Sequence, residues 1–168
     1  MNAPASVRAF IGVGANLGDP RAQVKGGIAA LRALPCSVVV AQSSLYASTP
    51  VDAAGPDFVN AVVALDTALP ALELLRAMQA IEYRHGRVRS TPNAPRTLDL
   101  DLLAYGAARS DDPVLRLPHP RLHERAFVLQ PLLEIAPELS VPGVGALAPW
   151  LERVRGQAVS RLPSDEKA

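Results

Sequence analysis

The segment Thr97-Leu-Asp-Leu-Asp-Leu-Leu103 carries the sharpest chemical signal in the sequence. In a strand, alternation puts Leu98, Leu100 and Leu102 on one face and Asp99 and Asp101 on the other. Two carboxylates at i and i+2 stand roughly 7 Å apart at Cα and can converge on one or two hard cations. Mg2+ takes one or two protein carboxylates and completes its octahedron with water and substrate phosphates. The same pattern also suits a half-buried strand with a solvated acidic face. Two features favour the metal: Asp is depleted in strands, and Arg96 stands three residues before the first acid. Carboxylates for metals beside arginines for phosphates are the parts of phosphoryl transfer.

The arginines are concentrated near these acids. Of 17 basic residues only Lys25 and Lys167 are lysines, and eight of the 15 arginines fall between Arg84 and Arg125. Arginine clamps phosphates bidentately, so an anionic ligand is expected there. Arg84, Arg87, Arg89 and Arg96 flank or lie in the loop that feeds the Asp strand; a solvated basic loop is the plainer alternative. Gln79 and Glu82, at i and i+3, share a helix face away from most of the apolar stripe and read as surface residues. Their importance depends on the loop beyond them.

Other chemistries are excluded. The single cysteine, Cys36, rules out a disulfide scaffold and a multi-thiolate metal site. Gly12 and Gly14 followed by Gly18 miss the third glycine of the dinucleotide fingerprint, and no Lys-Ser/Thr P-loop occurs. His119 and His123 are i and i+4 but lack the Glu of a zinc protease helix. A net charge of +1, with three Phe, three Tyr and one Trp, offers no field or stacking platform for nucleic acid. No basic start followed by an apolar run is seen and no apolar run approaches a membrane span, so a cytoplasmic location without membrane contact is expected.

The elements that must position these groups fit one catalytic domain of 168 residues, long enough to bury roughly 70% of its unfolded surface. Arg8–Val13 alternates as a first strand. Asp19 as N-cap and Pro20 at the first position open a helix carrying Val24, Ile28 and Leu31, closed by Pro35. Ser37–Tyr46 and Phe58–Leu65 read as second and third strands, with Thr49–Pro56 a loop between them. Pro70 opens a helix whose expected stripe is Leu72, Leu75, Met78 and Ile81, with Gly86 as its C-cap. Thr97–Ala104 is a fourth strand and Val114–Leu117 a short fifth. Short helices are expected within Arg121–Ala136, broken by Pro131, and within Leu147–Arg155; Ser160–Ala168 is expected to fray. The order β-α-β-β-α-β predicts a ferredoxin-like α+β sandwich with a mainly antiparallel sheet and short C-terminal helices.

Together these motifs resemble the 6-hydroxymethyl-7,8-dihydropterin pyrophosphokinase family of the folate pathway. The resemblance runs from Ile11-Gly-Val-Gly-Ala-Asn-Leu-Gly18 to Ile135-Ala-Pro-Glu-Leu139. Its most specific parts are Pro95-Arg-Thr-Leu-Asp-Leu-Asp101, Pro56-Asp-Phe-Val-Asn60, and Leu117-Pro-His119 with Arg125-Ala-Phe127. The resemblance implies the same ferredoxin-like fold and transfer of pyrophosphate from ATP to the pterin hydroxymethyl group, releasing AMP. By position, Asp99 and Asp101 would hold two Mg2+ ions, and Arg87 and Arg96 would neutralise developing phosphate charge. Gln79, Glu82, Arg87, Arg89, Arg96, Leu102, His119 and Arg125 would surround the nucleotide. Phe58 and Phe127 would sandwich the pterin, Asn60 would bond its ring edge, and the backbone near Ser48, Thr49 and Pro50 would complete the pocket. ATP and the dihydropterin would be the partners of a monomer.

This sequence departs from the family in three places. Asn93-Ala94 stands where some members have an aromatic–glycine pair, Pro120 where an aromatic can follow the histidine, and Ser48 where Thr is common. Without the aromatic, closure of the loop Gly86–Pro95 is expected to rest on arginine–phosphate contacts. A regulatory module binding an anionic effector and an RNA-binding domain of the same topology are the rival readings; sparse aromatics and near-zero charge oppose the second.

Overall fold

A computed structural model describes residues 5–49, 57–85 and 98–163. Pro50, Thr97, Arg87, Arg89, Arg96 and the loop Gly86–Pro95, with its expected C-cap and closure, lie outside the described residues.

The chain opens with β1 (Val7–Ala15) and α1 (Pro20–Arg32). Strand β1 is longer than the alternation predicts because β4 (Phe58–Thr67) pairs with its whole length, from Val7 opposite Thr67 to Ala15 opposite Val59. The cap of α1 is as expected: Asp19 accepts the Ala22 N–H at 3.2 Å and Pro20 is the first helical residue. The expected second strand divides into β2 (Ser37–Gln42) and β3 (Tyr46–Ser48). Ser43 causes the break, because its hydroxyl accepts the Val62 N–H at 2.9 Å where a backbone carbonyl would otherwise continue the ladder.

Helix α2 (Ala71–Arg84) buries Leu74, Met78, Ile81 and Glu82, whereas Leu72 is 38% exposed. The expected stripe is therefore rotated. Leu74 and Leu75 both lie within a turn of Met78, and the packing of α2 against the sheet selects Leu74. Strand β5 (Asp99–Tyr105) then pairs antiparallel with β1. The expected fifth strand is one arm of a separate hairpin, β6 (Ser110–Asp112) with β7 (Leu115–Leu117). A 3-10 turn (Leu122–Glu124) leads into α3 (Ala126–Ile135), which runs through Pro131 instead of breaking there. A small hairpin of β8 (Ser140–Val141) and β9 (Gly145–Ala146) precedes α4 (Trp150–Arg153). Finally β10 (Val159–Arg161) pairs with β3, and Leu162 N–H donates to Leu45 O at 2.8 Å. Ser160 to Leu162, expected to fray, are instead anchored by strand addition; residues 164–168 lie outside the described residues.

The main sheet has the order β10-β3-β4-β1-β5, with β2 also on β4, and its pairings are antiparallel. Taking β1, β2, β4 and β5 with α1 and α2 gives the ferredoxin-like order β5-β1-β4-β2. One face packs Ile11, Val13, Val63, Leu65, Leu98 and Leu100 against both helices. The other packs Phe10, Val62, Ala64 and Leu103 against α3 and the C-terminal elements. Gly27 lets α1 close on the sheet, since a Cβ there would lie 2.8 Å from Leu98 Cδ1. Among the described residues no helix is long and apolar enough to cross a membrane.

Candidate functional site

Strand register assembles the site. Leu98, Leu100 and Leu102 belong to the helix-covered face, so alternation turns Asp99 and Asp101 to the opposite one. Asp99 pairs with Gly14 and Asp101 with Gly12, while Gly14 pairs on its other side with Asn60. Asn60, Gly14 and Asp99 therefore form a row across three neighbouring strands, the outer two roughly 10 Å apart at two strand spacings. The two glycines raise no side chain from the floor between the amide and the carboxylates.

The residues expected on the pterin side are held from below. Asn60 is buried and its Nδ2 donates to Ser48 Oγ at 2.7 Å, which fixes Oδ1 as the remaining acceptor. That oxygen would lie 2.9 Å from a Cβ at position 14, so only glycine leaves the Asn60 amide where it is. Ser48 lies opposite Phe58, and Thr49 follows β3 in the irregular chain. The short β3 is anchored by Glu134 of α3, which accepts from Ser44 N–H at 3.0 Å and from the Tyr46 hydroxyl at 2.7 Å. Burial and this bond push the Tyr46 hydroxyl up to about 12, so it stays a donor.

Of the residues expected around the nucleotide, the structure brings His119 and Arg125 to the Asp pair. Burial, opposed by Asp101 and Asp99, lowers the Arg125 pKa, and Arg121 adds to the lowering. The Arg125 guanidinium also stands 5.5 Å from the centre of the Phe127 ring, so a residue expected at the nucleotide touches one expected at the pterin. His119 is held by its N–H to Leu103 O at 2.8 Å, and its Nδ1 accepts the Arg121 N–H at 3.1 Å. The neutral ring then carries its proton on Nε2.

Burial first, and Arg125 second, pull the His119 pKa down to about 4 against the opposing pull of Asp99. Its imidazole proton resonances should titrate with a midpoint near 4. The linkage has a definite sign. The unfolded ring takes up its proton near pH 6.5 while the folded ring does not, so the contribution to stability is full above about 6.5 and is lost as pH falls through about 4. His119→Asn should flatten that part of the pH–stability curve. A midpoint in the usual histidine range would contradict the buried, arginine-facing placement.

Other expected site residues are placed differently. Glu82 is not a surface residue: it is 4% exposed, and its Oε2 accepts the Leu100 N–H at 2.7 Å on β5. A sheet-edge N–H buried under a helix needs such an acceptor. Gln79, three residues earlier, is exposed. Leu102 lies with its side chain in the core on the face opposite the two aspartates. Arg121, visible in the sequence only as one arginine among eight, adds its positive charge beside His119 and Arg125. Gly12 and Gly14 read in sequence as a failed dinucleotide fingerprint and as the start of the family resemblance, not as a bare floor; their spacing of two, matching that of the aspartates, was the available signal.

Among the described residues no group of three or more His, Cys, Asp or Glu could hold a metal ion. The Asp pair is a two-carboxylate set of hard oxygens, the kind of donor set that suits Mg2+ shared with phosphates.

A model of the family described as 7,8-dihydro-6-hydroxymethylpterin-pyrophosphokinase matches residues 10–137. A Pseudomonas aeruginosa protein named 2-amino-4-hydroxy-6-hydroxymethyldihydropteridine pyrophosphokinase is 45% identical over 157 residues, covering 93% of this chain and 97% of that protein. A Methylorubrum extorquens protein of the same name is 45% identical over 137 residues, covering 81% and 87%. Among solved structures, Plasmodium falciparum HPPK-DHPS wild type with pterin and p-hydroxybenzoate superposes with a TM-score of 0.71 at 13% identity. That match covers 91% of this chain but 44% of the other, so this chain spans less than half its length. At such identity the likeness shows the fold.

Proposed function

From the premise that this chain belongs to the 7,8-dihydro-6-hydroxymethylpterin-pyrophosphokinase family, we propose that it transfers pyrophosphate from ATP to the hydroxymethyl group of 6-hydroxymethyl-7,8-dihydropterin. The hydroxymethyl oxygen attacks the β-phosphorus, the bond from that phosphorus to the α,β-bridging oxygen breaks, and AMP leaves. The observation that carries this reading is the row Asn60–Gly14–Asp99, which sets a heterocycle-bonding amide and a carboxylate on either side of a bare floor.

Asp99 and Asp101 would hold two Mg2+ ions, which when bound supply charge neutralisation and alignment for the triphosphate. The remaining work belongs to fixed protein groups. Asn60, locked by Ser48, bonds the pterin edge, and Phe58 and Phe127 cover its two faces. The backbone at Ser48, Thr49 and Pro50 would close the pocket. Arg125 offsets negative charge on the phosphates, and the neutral His119 donates from Nε2. Exposed Gln79 and the backbone at Leu102 border the nucleotide side, Glu82 braces the edge strand there through the Leu100 N–H, and Arg87, Arg89 and Arg96 would bind the phosphates. The protein acts as a cytoplasmic monomer with small-molecule partners, engaging neither nucleic acid nor membrane.

The purified protein should release AMP from ATP only when both Mg2+ and the dihydropterin are present. Binding of both ligands without AMP release would replace the enzyme with an anion-binding module.

A further inference from the structure

Gln157 lies between α4 and β10, beyond the residues that the family model matches. Its side chain reaches back to the junction before α3 and bonds the chain on both sides of Arg125. Oε1 accepts the Ala126 N–H at 2.9 Å, and Nε2 donates to Glu124 O at 3.0 Å. Ala126 is the first residue of α3, so its N–H is one of the donors that the helix leaves without an internal partner. Arg125 is the N-cap residue, with extended backbone, and its side chain makes no cap bond. The cap is supplied instead from 31 residues away.

This arrangement separates two tasks. Arg125 need not serve the helix, and its guanidinium faces the Asp pair and Phe127. Gln157 is itself held firmly: its N–H donates to Val154 O at 2.9 Å, and β10 begins two residues later, with Val159 opposite Ser48. The same segment is thus registered to a pterin-side residue and to the arginine at the nucleotide side.

We propose that Gln157 is a positioning residue, which fixes the backbone at Arg125 so that the guanidinium meets the nucleotide phosphates. The proposal rests on the pyrophosphokinase reading. A long side chain swings with its Cα, and small misplacements at a reacting centre are costly. Partners that orient metal-ligating residues typically matter by tenfold or more, and an arginine that must meet phosphates is oriented on the same principle.

The test uses the full chain with Gln157→Met, which keeps length but removes both bonds, and Gln157→Glu, which keeps the acceptor for Ala126 N–H. Gln157→Met should lower kcat/KM for ATP by about tenfold while pterin affinity changes by less than about twofold. Gln157→Glu should recover most of that loss. In an Arg125→Ala background, Gln157→Met should have almost no further effect, because its route of action is gone. An equal loss in both backgrounds, or equal weakening of both ligands, would overturn the proposal and leave Gln157 as a fold contact only. Calorimetry with α,β-methylene-ATP and Mg2+ runs the same cycle without turnover. If the wild type released no AMP, the enzymatic reading would fail, and this cycle would still decide whether Gln157 acts through Arg125.

Discussion

Replacing Asp99 or Asp101 by Asn should lower turnover by at least ~100-fold, the scale of losing one strong electrostatic contact at a reacting centre. Asn keeps the size of the side chain but removes the charge that a hard cation requires. The backbone of both residues stays paired to Gly14 and Gly12, and both side chains are only half-buried, so the fold should survive. The substitution also removes a charge that offsets the buried guanidinium of Arg125, and nucleotide affinity without metal should therefore change far less than turnover. Steady-state rates at saturating Mg2+, with thermal melts as a control, check this. Unchanged turnover in either variant would sink the two-metal assignment.

Phe127→Ala should weaken dihydropterin binding by roughly 1–3 kcal/mol, the scale of aromatic–base stacking, and leave ATP affinity largely alone. The ring packs against the second core cluster and under the Arg125 guanidinium. Truncation will therefore cost some stability, which makes the comparison of two ligands the informative measurement. Isothermal calorimetry should show the loss concentrated on the pterin. Equal losses for both ligands would make Phe127 a packing residue.

The Asp pair, the cap at Asp19 and Pro20, and the order of strands and helices were all legible in the sequence. Each depends on a short-range rule: alternation of two in a strand, a side chain reaching three residues ahead, or a helix falling after the first and third strands. The roles of Asn60, His119 and Arg125 followed instead from the resemblance to the pyrophosphokinase family. Short-range rules failed where the choice was not local. Ser43 ended a strand because its hydroxyl met Val62 across the sheet. Ser160 was tied down by a pairing with Ala47 more than a hundred residues earlier.

By itself, then, the sequence determined which chemistry is present: two hard carboxylates, a crowd of arginines, a neutral amide and two aromatics, on a β-α-β-β-α-β chain. Tertiary structure decided how they meet. Register placed Gly14 between Asn60 and Asp99, docking of α2 turned Glu82 inward to the Leu100 N–H, and the C-terminal segment brought Gln157 to the flanks of Arg125. Periodicity and capping are energies within a few residues, so they can be read along the chain. Register, burial of the Glu82 carboxylate and a cap from 31 residues away are set by partners that only folding makes neighbours.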